Sequence, residues 1–343
     1  MLRIGILGAA DIAIRKFLPA LSLIDRVEFG GVAVASKGEK QIISDGYITN
    51  NNEFDIDSIN KGKKIVDQYG GKLYKGYQEL INSDDIDAIY IPLPPAIHYY
   101  WGKEALLAGK HVLMEKPFTI NYLTTMELIE LAKAKGLVVL ENFGFTYHRQ
   151  FTAIKKIIED ELIGDIKLIT SRFGFPFRSA NDFRYFKKYG GGALFDCGCY
   201  TIRAAQMFLD NEIKILGASL SSLSGYDVDG FGIIQLKDNS GRFAQLGFGM
   251  NNQYQCNLEI WGTKGIVRSD RFFTAPSDKD IEIMLERGNE KETLIIDKDD
   301  QFKRIIEMFV CLINERQNSR DILDNILLTS NIIQQVMDCC DSN

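Results

Sequence analysis

The chain has 343 residues, of which 45% are hydrophobic and 25% are charged, and only 7 are prolines. This composition excludes a disordered or collagen-like polymer, and a rule of about 150 residues per domain predicts two domains. The net charge of −6, without a long block of one sign, excludes the basic footprint of a nucleic-acid-binding protein.

Membrane association and disulfide bonding are not expected either. No run of about eighteen apolar residues occurs, and the opening residues, MLRIGILGAADIAIRK, are typical of a strand and a turn rather than of a signal peptide. The cysteines, at positions 197, 199, 256, 311, 339 and 340, are too few and too irregularly spaced for a disulfide framework. The three histidines do not stand at the spacing from these cysteines that a zinc site needs. We therefore expect a cytoplasmic protein with reduced thiols, no metal and no membrane partner.

The first half of the chain alternates short apolar runs with amphipathic stretches. The predicted strands are residues 3–7, 28–35, 88–91, 111–115 and 138–142. The predicted helices are residues 12–23, 98–107 and 122–135. Successive strand–helix units predict an α/β fold with a doubly wound parallel sheet that is covered on both faces.

A long polar segment, residues 38–64, interrupts this pattern. It is rich in Asn and Asp, and it replaces a connection that normally takes about two to six residues. Two interpretations stay open. The segment is either a mobile surface insertion or a flap over a cofactor or an oligomer contact, since long ordered loops are often functional.

After about residue 142 the pattern changes to longer runs in which apolar and polar residues alternate. The predicted strands are residues 166–175, 213–223, 231–236, 244–250, 258–260, 281–286 and 293–296, and helices follow at 302–314 and 322–337. This pattern predicts an α+β domain with an open, mainly antiparallel sheet that packs one face on helices. Because large apolar patches rarely stay exposed, we expect the other face to be buried in a homodimer or homotetramer.

The turn after the first strand reads GAADIA from position 8, a variant of GxGxxG in which alanine replaces the later glycines. Such a turn brings backbone N–H groups and a helix N-terminus against a pyrophosphate, and alanine is small enough to allow this approach. We therefore predict a dinucleotide site at Gly8, Ala10, Asp11, Ile12 and Ala13. The alternative is a plain strand–helix turn in which Asp11 caps the helix.

The end of the second strand distinguishes the two nicotinamide dinucleotides. An NAD site needs an acidic residue there, but the strand ends in Ser36 and Lys37, and Glu28 lies at its beginning. A hydroxyl and a cation suit a 2′-phosphate, so the sequence favours NADP(H) over NAD(H) as cofactor.

Two further segments follow successive parallel strands, where ligands bind in such sheets. The first contains Pro92, Leu93 and His98, and the second contains Glu115 and Lys116. We predict that these residues contact the cofactor. The alternatives are that His98 simply begins a helix and that Lys116 is a solvated charge.

Four segments, in the order GILGAADIA, AGKHVLMEKP, ENFGFTYHRQ and GGGALFDCGCYTIRAA, resemble the Gfo/Idh/MocA oxidoreductases. The resemblance leaves out mainly residues 38–64. It implies a Rossmann dinucleotide-binding domain at residues 1–142 and a substrate-binding and oligomerisation domain at residues 143–343, with C-terminal helices able to pack back on the first domain. It also implies an NAD(P)-dependent oxidoreductase that transfers hydride at a CH–OH or C=O carbon of a sugar or a related alcohol.

Many members of that family carry histidine in a DxGxH pattern, whereas this sequence has DCGCY, which ends at Tyr200. Together with ADIA at 10–13, PLPPAIH at 92–98, Arg203 and FTAP at 273–276, this difference is similar to the NADPH-dependent sugar 3-ketoreductases of deoxysugar biosynthesis. The resemblance implies a small-molecule substrate, a nucleotide-linked keto-sugar.

Reduction of a ketone needs a hydride at the carbon and a proton for the developing alkoxide. We predict Tyr200 as the general acid, with Lys116 polarising the carbonyl or stabilising the tyrosine phenolate. The residues predicted to bind substrate, besides Tyr200, are Asn142, His148, Arg184 and Asp196. The alternatives are a core aromatic for Tyr200, a helix cap for Asp196 and a solvated loop around Arg184.

We therefore predict an enzyme that uses NADPH to reduce a keto-sugar, above all the C3 ketone of a dTDP-type nucleotide-linked deoxysugar. One alternative is an NAD(P)-dependent dehydrogenase of a free sugar, an inositol or a dihydrodiol. The other, from a different class, is a non-catalytic regulator that senses a dinucleotide, because the fold alone does not imply turnover.

Overall fold

The computed structural model describes residues 1–45, 49, 51, 53–210, 212–315 and 320–341. Two compact units divide the chain. The N-terminal unit comprises Met1–Asn142 and Phe302–Leu327, and the C-terminal unit comprises Phe143–Gln301 and Leu328–Asn343. No helix in the described ranges is long and apolar enough to cross a membrane.

The N-terminal unit is built on a six-stranded parallel sheet. Its strands are β1 (Leu2–Leu7), β2 (Val27–Val34), β3 (Lys72–Lys75), β4 (Ala88–Ile91), β5 (His111–Met114) and β6 (Val139–Glu141). They lie in the order β3-β2-β1-β4-β5-β6. The predicted doubly wound parallel sheet is confirmed, and its strand order reverses beside β1, as in dinucleotide-binding folds.

Helices connect these strands. A π-helical turn, Ala13–Phe17, leads into α1 (Leu18–Leu21), and the others are α2 (Lys37–Asp45), α3 (Ile56–Tyr69), α4 (Tyr77–Ile81), α5 (His98–Leu107) and α6 (Tyr122–Lys135). The bounds of α6 follow from its caps. The Asn121 side chain accepts hydrogen bonds from the N–H groups of Leu123 and Thr124, and Gly136 ends the helix in a left-handed conformation with φ of 65°.

Most of the described part of residues 38–64 is helical and belongs to α2 and α3, so this segment is not the long loop that its polar composition suggested. Its interpretation as a mobile surface insertion, a flap or an oligomer contact stays a prediction. Ser36 and Glu39 cap α2 reciprocally: Ser36 Oγ accepts the Glu39 N–H at 3.2 Å, and Glu39 Oε2 accepts the Ser36 N–H at 2.7 Å. Asp55 caps α3 by accepting the Asp57 N–H. These capping residues and the buried Ile42 and Ile65 support helices in a segment whose polar composition is typical of a loop. Positions 46–48, 50 and 52 lie outside the described residues.

The C-terminal unit is built on an eight-stranded sheet in the order β14-β13-β12-β11-β7-β10-β9-β8. The strands are β7 (Ile166–Phe175), β8 (Ile213–Ser222), β9 (Asp229–Asp238), β10 (Phe243–Met250), β11 (Gln255–Gly262), β12 (Ile266–Ser269), β13 (Ile281–Arg287) and β14 (Glu290–Ile296). Only β7 and β10 pair in parallel among these strands. The predicted open, mainly antiparallel sheet is therefore confirmed.

The remaining helices are α7 (Arg149–Glu159), α8 (Cys199–Gln206), α9 (Gln301–Glu315) and α10 (Arg320–Asp341). In the C-terminal unit, α8 packs on β7 and β10, so one face of the sheet is buried. The other face carries large apolar side chains that are between 36% and 57% exposed, namely Phe231, Ile233, Phe243, Trp261, Met284 and Ile295. Strand alternation thus separates a buried face from an exposed apolar face.

A half-buried carboxylate, that of Asp229, holds the turn that leads into α8. A π-helical turn, Leu194–Gly198, precedes this helix, and Asp229 Oδ2 accepts the Leu194 N–H at 2.7 Å. Burial raises the pKa of Asp229 to about 6, although the N–H groups of Leu194 and Ala193 favour its charged form. Gly192 has φ of 119°, and a Cβ there would lie 2.2 Å from Asp229 Oδ1. The approach of Asp229 to the start of this helix therefore requires glycine at position 192.

We predict that Gly192→Ala lowers the free energy of unfolding by about 1–3 kcal/mol, because alanine meets both a strained backbone and the Asp229 carboxylate. Gly217→Ala is the matched control, since a Cβ at Gly217 would meet no atom within 4 Å. Urea unfolding curves of both variants measure the difference. Equal stability of the two variants would contradict the requirement for glycine at position 192.

Candidate functional site

The predicted dinucleotide turn has the geometry that a pyrophosphate needs. Gly8 has φ of 85°, and a Cβ there would lie 2.9 Å from Tyr77 Oη and 3.1 Å from Leu93. The first backbone hydrogen bond of the following helix is donated by the Ile14 N–H to Ala10 O at 3.2 Å. The N–H groups of residues 11–13, at the start of this helix, therefore have no acceptor within the helix. Backbone donors at a helix start fit a pyrophosphate, and only small residues precede them.

The end of β2 holds Ser36 and Lys37, as predicted from their position in the sequence. Ser36 is buried, and its hydroxyl oxygen caps α2. Lys37 Nζ lies 2.6 Å from Glu53 Oε2, and the Lys37 N–H donates to Glu53 O. The cation therefore stands where a 2′-phosphate is expected, but it already has a carboxylate partner.

His98 joins the loops that follow β4 and β5. Its ring is fully buried, with Nδ1 2.9 Å from Pro117 O and Nε2 2.7 Å from Leu93 O. Burial lowers the pKa of His98 to about 4, with a smaller contribution from the charge of Lys116, so the neutral ring donates to one carbonyl at a time. Because both ring nitrogens face carbonyls, a positioning role for His98 fits these contacts in place of the predicted cofactor contact.

Glu115 and Asn142 meet where β5 and β6 end. Glu115 Oε1 accepts from Tyr90 Oη at 2.6 Å and from Asn142 Nδ2 at 2.5 Å. Burial raises the pKa of Glu115, whereas Tyr90, Lys116 and Asn142 oppose that shift. Lys116 follows directly and is half-buried, and a cis peptide bond joins it to Pro117. The structure therefore brings Glu115, Lys116 and Asn142 to one edge of the parallel sheet.

Tyr200 lies on α8 within the C-terminal unit, against four phenylalanine rings. Its ring centroid is 4.9 Å from that of Phe173, and the other three distances, to Phe143, Phe145 and Phe273, are 5.3, 5.8 and 5.5 Å. The half-buried ring is thus packed edge to face or tilted against its neighbours. Such packing orients the phenol along one direction.

Arg184 forms an ion pair with Asp196, which lies four residues before Tyr200. Arg184 Nε donates to Asp196 Oδ2 at 2.8 Å, and Arg184 Nη1 donates to Asp182 Oδ1 at 3.0 Å. Burial alone lowers the pKa of Arg184, but the two carboxylates outweigh it and raise the pKa above its ordinary value. A diphosphate at Arg184 would therefore share the guanidinium with two carboxylates. The described contacts of Asp196 favour this pair over a capping role.

His148 is fully buried and caps α7. Its Nδ1 accepts the Gln150 N–H at 3.1 Å, so the ring hydrogen lies on Nε2. A contact between Nε2 and a sugar hydroxyl stays a prediction. The capping contact is one that the sequence analysis did not include, since histidine is not among the residues preferred at this position.

The sequence analysis missed Tyr90, Asp229 and Glu53. The pair of Ser36 and Glu39 carried a signal, because S-x-x-E before a helix is a capping box. Glu53 carried none, since it meets Lys37 only where the chain folds back after α2. Asp229 lies 35 positions from Leu194, whose N–H it accepts, so no local pattern indicates the contact.

Two family models match this sequence. Residues 2–143 match the model described as the oxidoreductase family with an NAD-binding Rossmann fold. Residues 151–268 match the GFO/IDH/MocA C-terminal domain. Both domains that the resemblance implied are therefore represented in the chain.

Curated relatives match over nearly the whole length. A dTDP-3,4-didehydro-2,6-dideoxy-alpha-D-glucose 3-reductase of Actinomadura kijaniata is 33% identical, covering 98% of this chain and 94% of its own. The enzyme of the same name from Streptomyces violaceoruber is 35% identical, covering 90% and 84%. Among solved structures, KijD10, a 3-ketoreductase from Actinomadura kijaniata in complex with NADP and TDP-benzene, superposes with a TM-score of 0.89 at 32% identity, covering 99% of this chain and 98% of its own. The chain belongs to the Gfo/Idh/MocA family of oxidoreductases.

Proposed function

We propose that this protein uses NADPH to reduce the C3 ketone of a dTDP-linked deoxysugar. The observation that carries the proposal is the agreement of four curated relatives, 33–35% identical over 90–98% of this chain, which all bear the name dTDP-3,4-didehydro-2,6-dideoxy-alpha-D-glucose 3-reductase. The solved complex of KijD10 with NADP and TDP-benzene supports both the cofactor and the nucleotide.

A lysine and a tyrosine of KijD10 support the assignment of Lys116 and Tyr200. Structures of KijD10 include variants in which one tyrosine is replaced by phenylalanine and one lysine by glutamate or alanine. These two residues stand 84 positions apart in KijD10, and Lys116 and Tyr200 are separated by the same 84 positions. Equal spacing in chains that align over almost their full length favours equivalent roles.

In this proposal the turn from Gly8 to Ala13 holds the pyrophosphate of NADPH, and Ser36 and Lys37 lie beside its 2′-phosphate. When bound, NADPH supplies the hydride. Pro92, Leu93 and Glu115 line the same edge of the parallel sheet, and His98 keeps their loops in place through its two carbonyl contacts.

Tyr200 donates its phenolic proton to the alkoxide that develops on the reduced ketone. The four phenylalanine rings around it restrict the orientation of the phenol, so less conformational freedom is lost when it meets the substrate. Lys116, a cation, stabilises the negative charge on the same oxygen. Arg184, Asp196, His148 and Asn142 contact the sugar nucleotide.

We further propose that the exposed apolar face of the eight-stranded sheet is an interface between copies of this chain. Side chains such as Phe231, Ile233 and Phe243 lie on neighbouring strands and point to the same face. An apolar patch of this kind rarely stays in contact with water. The proposed assembly is a homodimer or homotetramer. The cytoplasmic location stays a prediction.

Equilibrium binding of nucleotides tests the substrate class directly, because nucleoside diphosphates are stable ligands. We expect dTDP to bind the NADP-loaded protein in the micromolar range and more tightly than UDP or GDP, measured by calorimetry. Binding of a free sugar or polyol without any nucleotide would favour the alternative dehydrogenase. Tight NADPH binding with no oxidation across a broad panel of carbonyl compounds would favour a dinucleotide sensor.

We predict that Tyr200→Phe lowers kcat by about 10²- to 10⁴-fold, because removal of a general acid has this effect. The Kd for NADPH should stay unchanged, since the proposed cofactor residues lie in the N-terminal unit. Tyr189→Phe, at another half-buried tyrosine of the C-terminal unit, serves as the matched control. Steady-state kinetics and NADPH fluorescence measure the two quantities. Unchanged turnover in Tyr200→Phe would remove this residue from the mechanism.

We predict that Ile233→Asp dissociates the assembly, because a buried charge in the proposed interface is costly. Ile233 is 49% exposed in the single chain and lies on β9 within the apolar face. Leu23→Asp, at an exposed apolar residue of the N-terminal unit, is the control and should leave the mass unchanged. Size-exclusion chromatography with light scattering measures the mass. A monomeric wild-type protein at working concentration would contradict the proposed assembly.

A further inference from the structure

The chain folds back after α2 and pairs with the end of β2. The Lys37 N–H donates to Glu53 O and the Gly38 N–H donates to Asn51 O, both at 2.7 Å. Ser36 and Phe54 form an isolated antiparallel bridge at the same place. The approach is close, since a Cβ on Gly38 would lie 2.1 Å from Thr49 O.

This pairing occupies the backbone donors at the start of α2. Such N–H groups ordinarily remain available for an anion. Here the N–H of Ser36 donates to the Glu39 carboxylate, and those of Lys37 and Gly38 donate to carbonyl oxygens. A phosphate that approaches this helix start must therefore rely on side chains.

The Lys37 side chain is the cation closest in sequence to the end of β2, and Glu53 is paired with it. The two charged groups are 2.6 Å apart, and their side chains are 53% and 71% exposed. Glu53 is held there by its backbone, because Asn51 Oδ1 accepts its N–H at 3.1 Å and its carbonyl accepts the Lys37 N–H. The hydrogen bond that Lys37 donates to Glu53 raises the pKa of Lys37, so the lysine stays charged.

The neighbouring carboxylate, that of Asp55, is engaged differently. It caps α3 by accepting from the Asp57 N–H and from Ser58 Oγ, and its distance to Lys40 Nζ is 3.7 Å. Loss of Asp55 would therefore disturb a helix. Glu53 has no such capping bond in the described part of the chain, so its charge can be removed without loss of a helix cap.

We propose that Glu53 competes with the 2′-phosphate of NADP(H) for Lys37 and so limits the preference of this protein for NADP(H) over NAD(H). This inference rests on the proposed function, in which the 2′-phosphate lies at Ser36 and Lys37. A phosphate monoester and a carboxylate repel each other, so the phosphate binds Lys37 more weakly while Glu53 is paired with it. NAD(H) lacks the phosphate and leaves the pair of Lys37 and Glu53 intact.

The test is the affinity of Glu53→Gln for the two oxidised cofactors. We expect its Kd for NADP⁺ to fall by about 2- to 5-fold, as the loss of an exposed competing charge implies, and its Kd for NAD⁺ to stay unchanged. Glu130→Gln is the matched control, because Glu130 is an exposed partner of Lys133 in the same unit and the substitution removes the same charge. Calorimetry at low and at high salt measures both constants, and the gain should shrink at high salt.

Lys37→Gln distinguishes this inference from the proposed function. Weaker NADP⁺ binding in Lys37→Gln together with tighter binding in Glu53→Gln supports the competition. Unchanged or weaker NADP⁺ binding in Glu53→Gln overturns the competition. Glu53→Ala repeats the measurement with a second substitution and must give the same result, and thermal unfolding checks that both variants are folded. If Lys37→Gln binds NADP⁺ as the wild type does, the phosphate lies elsewhere and the competition is overturned while the proposed function stands. A wild-type protein that binds neither cofactor overturns both.

Discussion

Backbone pairing in the parallel sheet is the constraint on which the rest of the N-terminal unit depends. The backbone N–H and C=O groups of these strands are satisfied by hydrogen bonds to neighbouring strands that run in the same direction. The carboxyl ends of all six strands therefore lie at one edge of the sheet. This places Gly8, Ser36 and Glu115 at the same edge, although more than a hundred positions separate the first from the last. The order reverses beside β1, and the loops on either side of that point diverge to leave a crevice. The predicted dinucleotide turn, Gly8 to Ala13, follows β1 at this point.

Buried polar groups then fix the loops that surround the crevice. A buried polar side chain without a partner is costly, and here the partners are other loops. His98 links the carbonyls of Leu93 and Pro117, Glu115 accepts from Tyr90 and Asn142, and Glu39 accepts from the N–H groups of Ser36 and Gln78. Each of the three side chains makes at least one contact that joins segments of different strands: His98 with Pro117, Glu115 with Tyr90 and Asn142, and Glu39 with Gln78. The loops therefore gain a defined conformation from these polar groups, of which His98 and Glu115 were predicted from the sequence to contact the cofactor.

The C-terminal unit positions its candidate acid by aromatic packing and by one carboxylate. Four phenylalanine rings surround Tyr200, and Asp229 holds the turn that leads into its helix. The same sheet that supports this arrangement exposes a row of apolar side chains on its opposite face. A single alternating pattern along each strand thus serves two surfaces, a core and a proposed interface.

The sequence by itself determined the strand–helix alternation, the long antiparallel strands and the family, because periodicity and short motifs are local properties. Strand 88–91 and helices 98–107 and 122–135 agree with the structure at both ends. For helix 122–135 the reason is local, because Asn121 and Gly136 cap it at the positions next to its ends. The polar composition of residues 38–64 hid two helices, although a capping box at Ser36 and Glu39 indicated the first of them. Only the tertiary structure decided that His98 faces two carbonyls, that Arg184 is paired with two carboxylates and that Glu53 reaches Lys37. The contacts of His98 with Pro117, of Arg184 with Asp196 and of Lys37 with Glu53 join residues 12 to 19 positions apart, and no local pattern encodes them.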